Sequence, residues 1–421
     1  MLHQLKRAIP PRFWPRLWYH YAKGYLHAAK AKHPARSMTV IGVTGTDGKT
    51  TTSNMIYHCL NHAGKKAGLL ATTHFAWADH YEINETHKTS MSPGKLNQYL
   101  NKIKDAGMEY LVLESSSHAL DQGRLVGIPI HTAVITNLSH EHLDYHRTME
   151  KYRRAKSKLF RHAKHGVIFG DDPFLAPLKN YPRQTQTFGK RPHNDLYFDT
   201  VQTTPAGISF TVHYQNKTYD FTLPLFGAHN ALNAIAAVAA CQSVGVSIET
   251  CRDALKTFTG VAGRMEKVPT DLPFTVLIDY AVTPQAFTAL FEAARPIDSG
   301  RLIAVFGACG DRDQLKRPIT GKIAHQLCDA VIITDEEPYY EDAKQIRDMI
   351  FSGIPKDTTK EIYVIADRTE AIRKALSIAR PHDVITVSGM GDQTSMVIGS
   401  QLIPWSDRET IKTLAKEIAN Q

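Results

Sequence analysis

The alternation of two residue patterns from residue 38 onward is the feature that most constrains the fold of this chain. Short runs rich in Val, Ile and Leu predict strands at Met38–Thr44, Ala67–Thr72, Tyr110–Glu114, Thr132–Asn137 and Gly166–Gly170. The segments between them predict helices at Lys49–His62, Pro93–Ala106 and Met149–His162. Such alternation is typical of an α/β protein whose mostly parallel sheet carries helices on both faces.

The pattern changes near residue 185 and again near residue 274. Alternating polar and apolar residues between 185 and 225 predict an antiparallel hairpin, and a helix is expected at His229–Gly245. A second series of apolar runs begins at Phe274. We therefore predict three parts: a basic aromatic helical segment (1–37), a central nucleotide-binding domain (38–263) and a C-terminal Rossmann-like α/β domain (264–421).

Positive charge is concentrated before the first predicted strand. The net charge is +9, yet residues 1–36 hold eight cations and no acid, so the remainder has a net charge of only +1. A nearly neutral body does not indicate nucleic-acid binding. The basic segment also carries six aromatic side chains. Two interpretations stay open: a helix packed on the protein, or an interfacial helix at an anionic membrane.

Cysteine spacing limits the classes of site that the chain can carry. The five cysteines are at least ten residues apart in sequence. This spacing excludes a zinc ribbon, a CxxC redox pair and a disulfide framework, and it suits a reducing cytoplasm. No run of apolar residues is long enough to cross a membrane.

A glycine-rich loop lies between the first predicted strand and the first predicted helix. It reads Gly45-Thr-Asp-Gly-Lys-Thr, and Val43 stands where the full phosphate-loop pattern has its first glycine. Its backbone N–H groups can face phosphate, Lys49 can reach the terminal phosphates, and the Thr50 hydroxyl can bind Mg²⁺. An ordinary glycine turn is the weaker alternative.

Potential metal ligands follow the two strands expected beside this loop. Glu114 ends one strand, and the segment after the next strand holds His142, Asp144 and His146. The carboxyl ends of parallel strands form one crevice, so these side chains are expected near the phosphate loop. Taken singly, each histidine would be interpreted as a buried core residue and each acidic residue as an ordinary loop residue.

Seven motifs follow one another in order between about residue 38 and residue 400. They are Gly45-Thr-Asp-Gly-Lys-Thr-Thr, LESSSHALDQGR, TNLSHEHLDYHRTMEKYRRAKSKLF, GAHNALNA, GRME, IDYAVTP and FGACGDRDQLKRP. Together these motifs resemble the Mur ligases, and most closely the MurE type. Folylpolyglutamate synthetase, which has a similar core, matches these motifs less well.

The resemblance implies specific roles for many residues. Lys49, Glu114, His142 and Lys156 would be catalytic, with Glu114 bridging two Mg²⁺ ions that Thr50, His142 and a carbamylated Lys156 also hold. The residues expected to bind ATP are Gly45, Thr46, Asp47, Gly48, Lys49, Thr50, Thr51, Asn230, Asn233, Arg264 and Asp279. Those expected to bind the other substrates are Ser116, Arg124, Arg312, Glu337, Tyr339, Gly389 and Gln393. His146 is a candidate base for the incoming amine.

The implied activity is ATP-dependent amide-bond formation in peptidoglycan precursor synthesis. A muramyl dipeptide carboxylate would be phosphorylated to an acyl phosphate, which an amino acid then attacks. The expected protein is a cytoplasmic monomer. The alternatives are a Mur-like ligase acting on a lipid-linked muramyl peptide at the inner membrane face, where residues 1–36 contact lipid, and a non-catalytic ATP-binding homologue.

Four departures from the MurE pattern modify these expectations. Fewer residues precede the loop than in the family, so its uridine-binding domain is expected to be truncated or replaced. Val282 stands in place of a histidine, Glu336-Glu337-Pro338-Tyr339 in place of D-N-P-R, and Gly389-Met390-Gly391-Asp392-Gln393 in place of G-K-G-H-E. Because Tyr cannot form the bidentate ion pair of an arginine, diaminopimelate is not expected to bind in the usual way. Lysine is an alternative, since Glu336 and Glu337 could attract a second ammonium group.

Overall fold

A computed structural model describes residues 14–84, 89–204 and 207–419, without the side chains of residues 14–17, Asp144 and Thr204. The chain folds into two compact units. The first comprises Met1–Thr200, Phe210–Thr222 and Ala231–Phe258. The second comprises Val201–Ser209, Leu223–Asn230 and Thr259–Gln421. The three-part division predicted from the sequence stays a proposal.

An eleven-stranded sheet organises the first unit, in the order β11-β10-β9-β8-β7-β6-β1-β5-β2-β3-β4. Its strands are β1 Thr39–Thr44, β2 Ala67–Leu70, β3 His74–Trp77, β4 His80–Ile83, β5 Tyr110–Glu114, β6 Ile130–Ile135, β7 His165–Phe169, β8 Gln184–Gly189, β9 Leu196–Thr204, β10 Gly207–Tyr214 and β11 Lys217–Leu223. β1 lies between β5 and β6 and is parallel to both. The predicted mostly parallel sheet is confirmed.

The helices of this part are α1 Trp14–Lys30, α2 Lys49–His62, α3 Pro93–Asp105, α4 Ser117–Asp121, α5 Leu143–His146, α6 Met149–Ser157, α7 His229–Gln242 and α8 Ile248–Leu255. Short 3-10 helices occupy Pro34–Ser37 and Pro173–Asn180. α2 has the bounds predicted from the sequence. α6 ends at Ser157 rather than at His162, because the chain turns there through a backbone bond from Phe160 to Ser157.

One hairpin was not predicted from the sequence, and one predicted hairpin needs correction. β3 and β4 form an antiparallel hairpin at the sheet edge that the sequence analysis did not anticipate. The region after residue 185 is not a simple hairpin, since β8 pairs parallel with β7. The predicted hairpin is confirmed only for β10 and β11, which flank Gln215 and Asn216, both with positive φ.

The second unit is a separate α/β body. Its six-stranded sheet has the order β12-β13-β17-β14-β15-β16 and is parallel apart from β12. These strands are β12 Glu266–Lys267, β13 Thr275–Asp279, β14 Leu302–Phe306, β15 Ala330–Ile333, β16 Glu361–Val364 and β17 Val384–Ser388, with a hairpin of β18 Ser395–Ile398 and β19 Gln401–Pro404. The helices are α9 Pro284–Ala294, α10 Lys316–Leu327, α11 Ala343–Phe351, α12 Arg368–Ile378 and α13 Asp407–Ala419, with a 3-10 turn at Arg295–Ile297. Apolar clusters cover both faces, as expected of a Rossmann-like sheet.

The N-terminal segment contains the expected helix, although its residues 1–13 lie outside the described part of the chain. α1 belongs to the first unit and packs on the rest of it through Tyr21 and Gly24, whose neighbours are Leu120 and Gly123. Among the described residues, every helix is too short or too polar to cross a membrane.

Candidate functional site

The glycine-rich loop joins the end of β1 to the start of α2 and depends on two glycines. Gly45 and Gly48 both have positive φ, of 151° and 78°. A Cβ at Gly45 would lie 1.8 Å from Thr136 Oγ1, and one at Gly48 would lie 2.3 Å from Asn233 Oδ1. Any side chain at either position would clash, so the backbone stays accessible for close approach of a phosphate.

The end of β6 holds the loop in shape. Asn137 Oδ1 accepts hydrogen bonds from the N–H groups of Thr46 (3.0 Å) and Asp47 (2.9 Å). Thr136 Oγ1 donates to the Asp47 carbonyl over 2.6 Å. The first intrahelical bond of α2 runs from Thr52 N–H to Gly48 O, so the preceding N–H groups have no partner within the helix. Such N–H groups form an anion-binding helix terminus.

The structure brings Thr50 and Glu114 together. Thr50 Oγ1 donates to Glu114 Oε1 over 3.1 Å, and Glu114 Oε2 accepts from the Thr72 N–H over 2.8 Å. Glu114 is only 1% exposed. Lys49 Nζ donates to the Thr46 carbonyl over 2.7 Å and therefore lies over the loop. A hydroxyl and a carboxylate are the oxygen ligands that Mg²⁺ prefers.

Lys156 reaches the same loop from α6. Its Nζ donates to the Gly45 carbonyl over 2.6 Å and lies 4.5 Å from the ring centre of Tyr152. Burial, and secondly the charge of Lys49, lower the pKa of Lys156 well below its usual value. A lowered pKa raises the fraction of neutral amine, which is the form that reacts with CO₂.

His142 lies at the start of α5 in the left-handed conformation, with a φ of 56°. Its ring centre lies 4.8 Å from that of His118 and 6.2 Å from that of Tyr152. Burial lowers the pKa of His142 to about 2, aided by His118, Lys156 and Lys49. The ring is therefore neutral and retains a lone pair that can bind a metal. The side chain of the neighbouring Asp144 lies outside the described residues.

His146 is less accessible than the sequence suggested. It is fully buried, and its Nε2 lies 3.0 Å from Ser117 Oγ. Its proposed role as a base for an amine stays a prediction.

Ser116 and Arg124 both contact Ser90. The Ser116 N–H donates to Ser90 Oγ over 3.1 Å, and Arg124 Nη1 donates to the Ser90 carbonyl over 2.9 Å. Ser116 Oγ also caps α4 by accepting from the Ala119 N–H. The two predicted substrate residues thus share one edge of the first unit.

The predicted residues of the second unit form two contiguous groups. In the first group, the Asp279 carboxylate accepts from the Met265 N–H over 2.8 Å, and its carbonyl accepts from the Gly389 N–H over 3.1 Å. Arg264 lies 4.5 Å from the ring centre of Tyr280. Asn230 Nδ2 donates to the Phe226 carbonyl within the second unit. Asn233 belongs to the first unit, where it lies against Gly48.

The second group surrounds two buried glutamates. Glu336 accepts from the Cys309 thiol over 2.9 Å, and Glu337 accepts from the Val397 N–H and from the Tyr339 hydroxyl. The Arg312 guanidinium lies 5.1 Å from the ring centre of Tyr339. Glu336 and Glu337 are each only 3% exposed, and burial raises the pKa of Glu336.

Comparison with known proteins identifies the family. The model of the Mur ligase middle domain matches residues 43–241, and that of the Mur ligase glutamate ligase domain matches residues 263–391. A UDP-N-acetylmuramoyl-L-alanyl-D-glutamate–2,6-diaminopimelate ligase from Synechococcus elongatus is 40% identical, with 94% of this chain and 80% of the relative covered. This chain belongs to the Mur ligase family. The resemblance to the MurE type is confirmed.

Solved Mur ligase structures have the same fold. A UDP-N-acetylmuramoyl-L-alanyl-D-glutamate–2,6-diaminopimelate ligase matches with a TM-score of 0.64 at 30% identity, covering 91% of this chain and 79% of that one. The MurF ligase of Thermotoga maritima in complex with ADP matches with a TM-score of 0.72 at 22% identity, covering 94% and 84%. The second match concerns the fold alone.

Four residues of this Mur ligase site were missed by the sequence analysis. Thr136 and Asn137 hold the loop, while His118 and Tyr152 contact His142. A signal for the first two was present, because they directly follow an apolar strand at the same sheet edge as Glu114. No comparable signal existed for His118 and Tyr152, whose positions depend on how α4 and α6 pack.

Proposed function

We propose that the protein is an ATP-dependent amide ligase of peptidoglycan precursor synthesis that adds an amino acid to a muramyl dipeptide. The observation that carries the proposal is the contact between Thr50 and Glu114 beside Lys49 and Lys156, in a chain of the Mur ligase family. The names of the relatives and the ADP bound to the MurF structure support it. The protein acts as a monomer in the cytoplasm.

A carboxylate is a poor electrophile, so the ligase must activate it before an amine can attack. The carboxylate oxygen attacks the γ-phosphorus of ATP, which gives an acyl phosphate and ADP. The amine of the amino acid then attacks the acyl carbon, forming the amide and releasing phosphate. The loop N–H groups and Lys49 hold and neutralise the phosphates, which is the main requirement of phosphoryl transfer. Gly45 to Thr51 contribute to this cradle.

The donor set fits Mg²⁺. Thr50 and Glu114 offer oxygen atoms 3.1 Å apart, and the neutral ring of His142 offers a nitrogen. When bound, two Mg²⁺ ions would offset the negative charge that accumulates on the phosphates and acyl oxygens. A carbamate on Lys156 would add an anionic ligand in place of a cation, and the neutral amine favoured by burial can form it.

The remaining predicted residues recognise the nucleoside and the two other substrates. Asn233, which contacts the phosphate loop, is proposed to bind ATP together with Asn230, Arg264 and Asp279. Ser116 and Arg124 are proposed to bind the muramyl peptide. The residues proposed to bind the amino acid are Arg312, Glu337, Tyr339, Gly389 and Gln393. Gly389 lies against the Glu336 carboxylate as well as bonding to Asp279, and the Gln393 N–H donates to the Met390 carbonyl.

The buried pair of Glu336 and Glu337 favours an amino acid whose side chain ends in an ammonium group. Two carboxylates are buried side by side, and Tyr339 hydrogen bonds to one of them in place of the arginine of the MurE pattern. A distal carboxylate would be repelled here, whereas a lysine ammonium would be attracted. We therefore propose lysine or ornithine in preference to diaminopimelate, although the relative from Synechococcus elongatus is named for diaminopimelate.

A second candidate places the acceptor substrate on a membrane lipid. α1 packs against Gly123, which precedes Arg124, so this helix adjoins the proposed acceptor edge. Its outer surface exposes Trp18, Tyr19, Tyr25 and Leu26 together with the adjacent cations Lys23 and Lys30. Aromatic side chains mixed with cations bind anionic interfaces. α1 can pack on the protein and contact lipid at the same time, because the two contacts use different faces of the helix.

One experiment tests the reaction and the acceptor. The enzyme is incubated with ATP, Mg²⁺, an equimolar pool of lysine, ornithine and diaminopimelate, and either a UDP-linked or a lipid-linked muramyl dipeptide. Mass spectrometry of the products should show addition of lysine or ornithine with one ADP released per amide. Absence of any product with both acceptors, under conditions in which a known ligase is active, would refute the activity.

Vesicle sedimentation tests the second candidate separately. The protein should pellet with phosphatidylglycerol vesicles at low salt and much less with phosphatidylcholine vesicles. The variant Lys23→Glu/Lys30→Glu should lose this binding, whereas Lys104→Glu, an exposed change on α3, should retain it. Equal pelleting of all three proteins would exclude lipid contact through α1.

A further inference from the structure

Three cysteines that are distant in sequence meet inside the first unit. Cys59 lies on α2, Cys241 on α7 and Cys251 on α8, and their sulfur atoms all lie within 4.8 Å of one another. Each of the three side chains is fully buried. None of them belongs to the proposed ligase site, and no step of the ligase reaction uses them.

The thiols have few strong interactions with the rest of the protein. Cys59 Sγ donates to the Cys251 carbonyl and Cys241 Sγ to the Ile56 carbonyl, each over a long 3.9 Å. Residues 231 and 234–241 of α7 are all fully buried, so the cluster lies in a dry, mostly apolar part of the core. Alanine or valine would fill this space without bringing three polarisable sulfur atoms together, which points to a role beyond packing.

The geometry suits a single soft cation. Sulfur ligands stand about 2.3 Å from a thiophilic metal ion, so three of them around one ion are roughly 4 Å apart. The observed separations of up to 4.8 Å need only small rotamer adjustments to reach that value. We propose that Cys59, Cys241 and Cys251 form a buried three-sulfur site for one soft monovalent cation of the Cu(I) type, in which one thiol proton is released to solvent as the ion binds, so that the occupied site stays neutral.

The number of ligands favours Cu(I) over Zn²⁺. Among the residues that the structure describes, no histidine, aspartate or glutamate joins the three cysteines. Structural zinc sites almost always use four protein ligands, whereas soft thiolates also select Cu(I). A trigonal set of three sulfurs, closed to water, therefore matches the softer and less highly coordinated ion.

A cation at this site would link the helices that carry the nucleotide residues. α2 begins with Lys49 and Thr50, and α7 carries Asn233, whose Oδ1 accepts from Thr52 over 3.3 Å. The bound ion would fix the C-terminal part of α2 to α7 and α8. The proposal concerns the core of the first unit and does not depend on the ligase activity.

Anaerobic titration with Cu(I), supplied as its acetonitrile complex, tests the site. A chromophoric Cu(I) chelator competes for the metal, and the protein is loaded both folded and during refolding because the site is closed. The wild type should retain one Cu(I) per chain, show ultraviolet thiolate-to-copper absorption and gain thermal stability. X-ray absorption should show sulfur-only coordination by three ligands.

Single substitutions identify the ligands. Cys59→Ala, Cys241→Ala and Cys251→Ala should each lose the retained Cu(I) and its stabilising effect. Cys328→Ala, which removes an equally buried cysteine of the second unit, should bind like the wild type. If Cys59→Ala or Cys241→Ala fails to fold, Cys251→Ala on the short α8 still decides the result.

Three outcomes would overturn the proposal. The first is a refolded wild type that loses all Cu(I) to the chelator. The second is a Cys251→Ala variant that retains as much metal as the wild type. The third is a wild type that retains Zn²⁺ in a parallel titration but loses Cu(I) to the chelator. That result would assign the site to a different class of cation.

Discussion

The Thr50 hydroxyl donates a hydrogen bond of 3.1 Å to the Glu114 carboxylate, which connects the first turn of α2 to the end of β5. The second oxygen of Glu114 accepts from the Thr72 N–H. Both residues stand at the carboxyl edge of neighbouring parallel strands, where ligands bind in open α/β sheets. This contact fixes a carboxylate beside the phosphate loop before any nucleotide arrives.

We expect Glu114→Gln to weaken Mg²⁺ binding selectively. The amide retains the shape and one acceptor oxygen but loses the negative charge that a dication requires. The half-saturating Mg²⁺ concentration should rise at least about tenfold, and kcat should fall by roughly 10²–10³-fold. Phosphate release measured against Mg²⁺ concentration checks this. The control Glu109→Gln, an exposed change just before the start of β5, should have little effect. An unchanged dependence of activity on Mg²⁺ concentration in Glu114→Gln would show that Glu114 does not bind the metal.

Lys156 should carry a carbamate. Because burial lowers the pKa of its amine, a larger fraction is neutral near pH 7.5 and can react with CO₂. Protein equilibrated with ¹³C-bicarbonate should show a carbamate carbon signal, and the Lys156→Arg variant should lack it. The control Lys151→Ala, an exposed change on the same helix, should retain the signal. Activity should fall in CO₂-depleted buffer and return with bicarbonate, and Lys156→Arg should lose at least about 100-fold in kcat. Detection of the same signal in Lys156→Arg would contradict the assignment.

Tyr339→Arg should shift the choice of amino acid toward diaminopimelate. A guanidinium beside the buried Glu337 would offset its charge and offer a bidentate partner to a distal carboxylate. The ratio of kcat/KM for diaminopimelate over lysine should rise by roughly 10–200-fold. Tyr340→Arg provides the matched control, since its side chain is 62% exposed. An unchanged ratio in Tyr339→Arg, with the fold intact, would show that this position does not select the substrate.

His74 should make the stability of the first unit depend on pH. Burial lowers the pKa of His74 from 6.5 to about 4, so between these values the unfolded chain binds a proton that the folded chain does not. The free energy of unfolding should therefore fall as pH decreases through this window, by up to about 1.4 kcal/mol per pH unit.

The variant His74→Gln should have a shallower slope of unfolding free energy between pH 6 and pH 4, measured by urea denaturation. The exposed His162 serves as the comparison, and His162→Gln should keep the slope of the wild type. Identical slopes for wild type and His74→Gln would show that His74 titrates normally in the folded protein.

The sequence alone was sufficient for the elements that depend on local pattern. The phosphate loop, α2 and the buried parallel strands follow from glycine spacing and apolar runs, because a strand covered on both faces needs almost continuous apolar residues. Glu114 and Thr50 could be paired in advance, since parallel strands must end at one edge. The edge hairpin of β3 and β4 was missed because its short strands have mixed polarity.

Only the tertiary structure decided which distant side chains share an environment. The contacts of His142 with His118 and Tyr152, and the burial of Glu336 beside Cys309, depend on packing between elements that are far apart in sequence. The cysteines show the difference most clearly: their spacing excludes every local cysteine motif, yet three helices bring Cys59, Cys241 and Cys251 together. Local sequence sets backbone propensity and the face that is buried, whereas the partners on that face are chosen by side-chain packing across the whole core.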